Sequence, residues 1–319
     1  MGNRALVLPL AAAVMACASG CSTIGDGNGD DARADGGGPE GGDGGGGQAD
    51  AAFPLGPFAE PQLIEALSDP AALDADPTMP DDGRELYFVS TRTGSAGVDI
   101  WVARRDSVAE DWGPAELVPE LNSADADYDP EISPDGLTLL FNSTRVVEGA
   151  KGGFDIFVST RSSRDADWSM PELVPALNSA DSDMAAVMNE DQTVVVFHRS
   201  IAGDLDLYVS SREAPGDDWA LPTRLDGIDT SDAQEADPWL SADGQTLYFN
   251  SNRTGGSGDS DIYRTTRLNT ATVLFSIPDE VTEVNSEFHE ANVALARGTR
   301  YLVMSSARSG DQELWEASR

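Results

Sequence analysis

The sequence repeats itself five times, and this repeat constrains the fold more than any other feature of the chain. The units start at Asp76, Asp129, Ala185, Asp237 and Asn292, so that successive starts lie 53, 56, 52 and 55 residues apart. They align without a gap, as in DPEISPDGLTLLFNSTR of the second unit and DPWLSADGQTLYFNSNR of the fourth. A period of this length is close to that of propeller blades and longer than the roughly 34–45 residues of helical repeats.

Each unit contains four short runs separated by turn signals. A PDG or ADG turn follows the first run, which is typical of a β-hairpin, and the second run is rich in aromatic and β-branched residues. The third run has the form DIFVSTR, and the fourth follows Trp112, Trp168 or Trp219. No stretch longer than a turn has helical periodicity. The sequence therefore predicts an all-β fold over residues 53–319, a five-bladed β-propeller with four-stranded antiparallel blades.

The fifth unit contains only three of the four runs. Its third run, ELWEASR, reaches Arg319, whereas the segment FAEPQLIEAL near the N-terminus matches WGPAELVPEL of the first unit, with Phe58 in the place of Trp112. An open ring would leave two sheet edges unpaired. We therefore predict that an N-terminal strand completes the last blade.

The strings DPEISPDGLTLLFNSTR and GGFDIFVSTR resemble the TolB-type β-propeller repeat, a relative of WD repeats found in periplasmic proteins. The resemblance covers residues 58 to 319. It is weaker in the third unit, where NEDQ replaces the turn, and in the fifth, where ARGT does. It implies a propeller and a role of the kind that TolB-like proteins have in envelope complexes.

The first 52 residues differ in composition from the repeats. A short apolar run from Ala5 to Ala16 follows Arg4 and is too short to span a bilayer, as in a secretory signal. It closes on ASGC, which resembles a bacterial lipobox and implies a signal peptide over residues 1–20 and a lipid on Cys21. The alternative is an ordinary signal peptide with incidental cysteines, and Cys17 is the weaker lipidation candidate.

Residues 21–52 are rich in Gly and Asp and almost lack apolar residues, so we predict a disordered tether. Cys17 and Cys21 are the only cysteines, so the propeller has no disulfide. Ser22 does not resemble the Asp that retains lipoproteins in the inner membrane of enteric bacteria. We therefore expect an exported protein that is lipid-anchored to the cell envelope, at the outer membrane.

The formal net charge of -36 limits the classes of partner. Nucleic acids and anionic lipids would both be repelled, so we expect no nucleic-acid partner and no membrane contact except through the lipid. An envelope protein or a glycan remains as the expected partner of a monomeric chain.

Two sets of charged residues recur from unit to unit. Arginines that follow the second run precede an acid at the start of the third run, and we expect structural ion pairs between them: Arg92–Asp99, Arg145–Asp155, Arg253–Asp261 and Arg308–Glu313. In the third unit Arg199 lies two residues early. A partner that is present once in each blade is typical of architecture rather than of an active site.

A second set of acids stands just before the first run of every unit: Asp74, Asp127, Asp183, Glu235 and Glu290. Inner strands line the axis of a propeller, so these acids are predicted to ring one mouth of the channel. They would bind Ca2+ or a basic group of a partner. The alternative is that they hydrogen-bond the adjacent backbone. No other cofactor is expected.

Catalytic signals are weak in this sequence. No GxSxG motif occurs, and the two histidines, His198 and His289, lie at repeat positions without a nucleophile pattern. We therefore predict a non-catalytic envelope binding or scaffold lipoprotein. The alternative is a glycan-active hydrolase that uses central carboxylates, because five-bladed propellers also carry glycosidase sites.

Overall fold

The computed structural model describes residues 56–319, apart from 226, 229, 269–273, 297 and 299. These residues form twenty β-strands in five four-stranded sheets. No helix in this part of the chain is long and apolar enough to cross a membrane. The predicted signal peptide, Cys21 and the tether lie outside the described residues.

Each sheet is one antiparallel blade, and four blades use consecutive strands. Blade 1 consists of β2 (Asp74–Thr78), β3 (Glu85–Ser90), β4 (Asp99–Arg104) and β5 (Glu116–Leu117). Blade 2 consists of β6 (Asp127–Ile132), β7 (Thr138–Ser143), β8 (Asp155–Thr160) and β9 (Glu172–Leu173). Blade 3 consists of β10 (Ser182–Met188), β11 (Val194–Ile201), β12 (Asp204–Ser211) and β13 (Thr223–Arg224). Blade 4 consists of β14 (Glu235–Leu240), β15 (Thr246–Ser251), β16 (Asp261–Thr266) and β17 (Asp279–Glu280).

Blade 5 joins the two ends of the described chain. It consists of β18 (Glu290–Ala296), β19 (Tyr301–Ser306) and β20 (Glu313–Ser318), with β1 (Gln62–Leu63) as its outer strand. Gln62 lies opposite Glu316, and Leu63 lies opposite Trp315. The predicted five-bladed propeller, closed by an N-terminal strand in the last blade, is confirmed.

The core is built from the aromatic positions of the second and third strands. Phe141 stacks on Phe157 at 5.9 Å between ring centroids, and Phe249 stacks on Tyr263 at the same distance. The second-strand rings are fully buried. Side chains of the second and third strands point alternately to the two faces of a blade. Each blade therefore has apolar surface on both faces, and neighbouring blades pack against it.

An arginine at the end of the third strand covers the aromatic residue that precedes the outer strand. The guanidinium carbons of Arg105, Arg161, Arg212 and Arg319 lie 3.9, 4.5, 4.1 and 4.1 Å from the ring centroids of Trp112, Trp168, Trp219 and Phe58, respectively. Phe58 therefore occupies the place of Trp112, as its sequence context predicts. These contacts hold the loops between the third and fourth strands against the blade.

The antiparallel order of the strands defines two faces of the ring. The turns between first and second strands and the loops between third and fourth strands lie together; we call this end the turn face. Arg105 Nε, for example, donates to Gly83 O at 2.9 Å and ties a loop of blade 1 to its turn. The opposite end, with the loops between second and third strands and the blade-to-blade connections, is the connection face.

Candidate functional site on the propeller axis

The recurring arginines pair with the acids that begin the inner strands. Arg92 Nη2 lies 2.6 Å from Asp74 Oδ1, and Arg145 Nη2 lies 2.5 Å from Asp127 Oδ1. The other blades repeat this contact with Arg199–Asp183, Arg253–Glu235 and Arg308–Glu290. Our prediction of other partners for these arginines is wrong: Arg92–Asp99, Arg145–Asp155, Arg253–Asp261 and Arg308–Glu313.

The acids of the third strand have a different role. Asp99 Oδ2 accepts a hydrogen bond from Ala96 N at 2.6 Å, and Asp155 Oδ2 accepts one from Lys151 N at 2.8 Å. These carboxylates therefore shape the loop that leads into their own strand. The arginine instead bends inward over its second-strand aromatic ring, as Arg145 does over Phe141 at 4.9 Å.

Each arginine also joins two blades. Arg92 Nη2 donates to Leu67 O at 2.7 Å, in the segment that follows the outer strand of blade 5. Arg145 makes the equivalent contact with Leu121 O at 2.5 Å. The second carboxylate oxygen of Asp127 accepts from Ser123 N at 2.7 Å. This unit therefore ties the blade connection to the inner strand, which is an architectural role.

The five inner-strand acids do not line an open channel mouth, contrary to our prediction. The side chains of Asp74, Asp127, Asp183, Glu235 and Glu290 are fully buried. They begin or fall within the inner strands instead of standing before them. Among the described residues no group of three or more His, Cys, Asp or Glu could hold a metal ion. Arginine and backbone donors already bind these carboxylates, so Ca2+ does not fit here.

A different set of acids converges on the axis, two residues further along the inner strands. This position has a left-handed backbone in every blade, with φ of 52°, 47°, 51°, 48° and 49° at Asp76, Asp129, Ala185, Asp237 and Asn292. The ladder between first and second strands has a register shift at this point in each blade. Asp and Asn tolerate this conformation better than other non-glycine residues, which explains four of the five side chains.

The axial carboxyl groups interact with one another across blades. Those of Asp76 and Asp129 are hydrogen-bonded to each other, and burial raises the pKa of Asp76 to about 6. Burial, and then the charge of Asp76, raises the pKa of Asp129 well above its ordinary value. Burial likewise raises the pKa of Asp237 to about 8. At least one proton is therefore retained in this cluster at neutral pH.

Glu131 extends the cluster toward the turn face. Burial raises the pKa of its carboxyl group well above the ordinary value, and the charges of Asp237 and Asp76 add to this effect. Glu131 Oε2 accepts a hydrogen bond from Thr78 Oγ1 of blade 1 at 3.1 Å. We use the name axial cluster for Asp76, Asp129, Glu131 and Asp237.

Polar second-strand side chains hold the left-handed residues of the next blade. His198 Nδ1 accepts a hydrogen bond from Asp237 N at 3.2 Å, and Asn142 Oδ1 accepts one from Ala185 N at 3.1 Å. His198 is buried, which lowers its pKa to about 3. It is therefore a neutral acceptor inside the ring.

A cavity of about 320 Å³ lies on the axis at the turn face. All five blades contribute to its wall, which is largely apolar and includes Met79, Ile132, Val187, Trp239 and Leu295. Glu131 is the member of the axial cluster that lines it. A cavity of this volume, with an apolar wall and several carboxylates, is large enough for a small ligand.

Sequence reasoning missed the axial cluster, although a signal was present. The Asp-Pro dipeptide starts the first, second and fourth units, whereas Ala185 and Asn292 stand at the same place in the third and fifth. This inequality between blades is what distinguishes a site from a repeated structural contact. Our prediction instead places binding at the position that carries an acid in every blade, beginning with Asp74.

Comparisons with known proteins agree with the fold. No family model matches the sequence, and no curated protein matches it. Two TolB structures are among the similar solved structures. TolB from Acinetobacter baumannii has 16% identity and a TM-score of 0.46 over 77% of this chain and 54% of that chain. The chain thus spans about half the length of that TolB. TolB from Agrobacterium tumefaciens has 20% identity and a TM-score of 0.45 over 73% of this chain and 70% of that chain.

Glycoside hydrolases have higher structural scores at low identity. A family 117 glycoside hydrolase from Zobellia galactanivorans has 9% identity and a TM-score of 0.55 over 82% of this chain and 90% of that chain. An endo-arabinase from Bacteroides thetaiotaomicron has 15% identity and a TM-score of 0.51 over 82% and 97%. The chain is a five-bladed β-propeller, and these glycoside hydrolases share its fold.

Proposed function

We propose that this chain is a non-catalytic binding protein of the cell envelope that presents its turn face to a basic protein partner. The observation that carries the proposal is a set of large aliphatic side chains at one repeat position. Met170, Leu221 and Ile277 are 81%, 87% and 86% exposed, and each precedes the proline that stands immediately before the outer strand of blade 2, 3 or 4.

The repetition of these side chains favours a docking surface. Equivalent positions of a propeller lie at the same height along its axis, so all three residues stand on the turn face. Scattered apolar residues are normal on a surface, but three at one repeat position form a pattern. Complete burial of such a side chain against a partner contributes about 1.5–3 kcal/mol.

The charge of the turn face favours a basic partner. The loops before Trp112, Trp168 and Trp219 carry these exposed acids: Asp106, Glu110, Asp111, Asp165, Asp167, Glu213, Asp217 and Asp218. The arginines of the same loops have internal partners, as in Arg161 with Glu85 at 2.5 Å and Arg212 over Trp219. A basic protein complements this surface and would be steered to it.

The test compares two sets of exposed aliphatic residues in the full-length protein. We expect Met170→Ser with Leu221→Ser and Ile277→Ser to abolish cross-linking of a basic protein in intact cells. We expect Val146→Ser with Val147→Ser and Ile201→Ser, on the connection face, to leave it unchanged. Cross-linking that survives the first set, or that is lost only with the second, would contradict the proposal. The yield of the cross-linked complex should also fall as the salt concentration rises.

A glycoside hydrolase is the second candidate, because the axial carboxyl groups are unequal, as acid and base catalysis requires. Two carboxyl groups must flank the scissile bond in such an enzyme. Here Asp76 and Asp129 bond each other, and Glu131 alone of the axial cluster lines the cavity. We expect no release of reducing sugar from arabinan or xylan. Release that disappears in Glu131→Gln would favour the hydrolase.

Export and lipidation belong to the same proposal. The apolar run from Ala5 to Ala16 and the ASGC sequence support them. We expect metabolic labelling with a fatty acid to be lost in Cys21→Ser and kept in Cys17→Ser. Labelling that persists in Cys21→Ser would contradict the proposed lipid site, and recovery of the labelled protein with the outer membrane would support the location.

A further inference from the structure

We propose that the axial cavity binds a long aliphatic side chain with a cationic head, a lysine or arginine of the protein that docks on the turn face. This inference rests on the proposed function and names the chemistry of its contact on the axis. The cavity is about 320 Å³, and its wall includes Met79, Val187, Trp239 and Leu295. An aliphatic stem would pack against this wall and place its charged head at the inner end.

The charged side chains that line the cavity are all acidic. Glu131 lies at its inner part, and the exposed acids Asp81, Glu190 and Asp243 lie around its opening. Among the described residues that line it there is no Lys, Arg or His. The indole of Trp239 adds an aromatic wall, which attracts a cation. A neutral sugar would not need this excess of carboxylates.

Burial is the main influence on the carboxyl groups of the axial cluster. Asp74, Asp127 and the three equivalent acids each have their own arginine. Among the described residues, the neighbours that shift the pKa values of this cluster are its own carboxyl groups, Thr78 and Asn250. One set of buried acids is thus paired with arginines, whereas burial and mutual repulsion raise the pKa values of the other set. A cation at Glu131 would favour the ionised forms of these carboxyl groups.

Within the described part of the chain, a fully buried amide in blade 2 lacks the carboxylate partner that its counterpart in blade 4 has. Asn142 is fully buried, and its Nδ2 has no hydrogen-bond partner among the described residues. At the same strand position in blade 4, the amide of Asn250 donates to Asp237 Oδ2 at 2.8 Å in the orientation that satisfies both of its ends. Asp129 holds the place of Asp237 in blade 2, so an ionised Asp129 would offer Asn142 the same charge-assisted hydrogen bond.

The methionines of the chain provide a direct assay. Met79 and Met188 line the cavity, whereas Met304 is fully buried in blade 5. We expect n-butylammonium to shift the ¹³C-methyl signals of Met79 and Met188 in the full-length protein and not that of Met304. n-Butanol, which has the same stem without charge, should bind at least ten times more weakly. A neutral arabino-oligosaccharide that produces the shifts instead would overturn the proposal in favour of a glycan site.

Two variants test the two parts of the site separately. Glu131→Gln keeps size and removes charge, and should weaken n-butylammonium at least tenfold. Val187→Phe fills the cavity and should weaken n-butylammonium and n-butanol alike, while Glu120→Gln, an exposed acid of blade 1, should change neither. Unchanged affinity in both Glu131→Gln and Val187→Phe, each with a wild-type circular dichroism spectrum, would overturn the site.

The outcomes also separate this inference from the proposed function. If n-butylammonium binds but cross-linking is unchanged by substitution of Met170, Leu221 and Ile277, the docking surface is contradicted and the cavity is supported. Cross-linking that depends on those residues, without any shift of Met79 or Met188, would overturn the cavity alone. We expect Glu131→Gln to reduce the cross-linking yield at least tenfold.

Discussion

Arg92 Nη2 lies 2.6 Å from Asp74 Oδ1, and the same nitrogen donates to Leu67 O at 2.7 Å. One guanidinium group therefore neutralises a fully buried carboxylate and ties blade 1 to the segment that follows the outer strand of blade 5. Because this contact recurs in every blade, the closed ring depends on five copies of one ion pair, which makes the pair a sensitive point for mutation.

We expect Arg92→Met to lower the free energy of unfolding by about 3–5 kcal/mol, because it leaves Asp74 charged and buried without its counter-charge. Arg84→Met, at an exposed position in the same blade, should change it by less than about 0.5 kcal/mol. Urea denaturation measures both. Adding Asp74→Asn to Arg92→Met should restore part of the loss, and a double variant that is less stable than Arg92→Met would contradict this explanation.

The outer strand of blade 5 should be necessary for cooperative folding. Ile64 N donates to Leu314 O and Ala59 N to Ser318 O, both at 2.9 Å, and Ile64 and Leu67 are buried in the core. A chain that starts at residue 67 should aggregate or unfold without a sharp transition, because β20 becomes an open edge. A chain that starts at residue 53 is the control. Equal melting temperatures for the two chains would show that the strand is dispensable.

Stability should depend on pH through Asp237. Its pKa is about 8 in the folded protein against an ordinary value of 3.8, so the folded state binds more protons than the unfolded state between these values. Its contribution to the free energy of unfolding therefore falls as pH rises from about 4 to about 8. His198, with a pKa near 3 instead of 6.5, acts in the opposite direction below pH 6.5.

Asp237→Asn isolates this effect, because Asn tolerates the left-handed backbone and cannot titrate. Relative to wild type, the variant should become more stable as pH rises from 5 to 8, by at most about 1.4 kcal/mol per pH unit. Urea denaturation at pH 5, 6.5 and 8 measures the difference. Glu120→Gln should follow wild type at every pH, and a constant difference between Asp237→Asn and wild type would show that Asp237 does not titrate in this window.

The contact between blades 1 and 2 should depend on Glu85. Arg161 Nη2 and Arg164 Nε lie 2.5 and 2.7 Å from Glu85 Oε2, and the Arg161 side chain is almost completely buried. We expect Glu85→Gln to lower the free energy of unfolding by about 3–5 kcal/mol, because the charge of Arg161 stays buried.

An exposed acid of the same blade gives the control for Glu85. Glu116 also pairs with an arginine, Arg104, at 3.0 Å, but both side chains are about half exposed or more. Glu116→Gln should therefore cost less than about 1 kcal/mol. Similar losses for Glu85→Gln and Glu116→Gln in urea denaturation would show that the contact between blades has no special weight.

Local rules determined the architecture. The number of blades, their four strands, the turns and the closing strand follow from a period near 54 residues, from turn residues and from alternating apolar positions, and all of these act over a few neighbouring residues. Even the match between Phe58 and Trp112 could be predicted, because each aromatic ring is packed by the same kind of arginine at the end of a third strand.

Tertiary structure alone decided which charges meet. Arg92 is 18 residues from Asp74 and 7 from Asp99 in sequence, and both acids lie near the same end of the blade. Arg92 pairs with Asp74 and not with Asp99 because its side chain bends inward over the Phe88 ring. There it also donates a hydrogen bond to a backbone carbonyl of the neighbouring blade. Likewise, Asp76 and Asp237 are 161 residues apart and come together only because a closed ring brings five inner strands to one axis. Their pKa values depend on burial, which the sequence of one repeat does not contain.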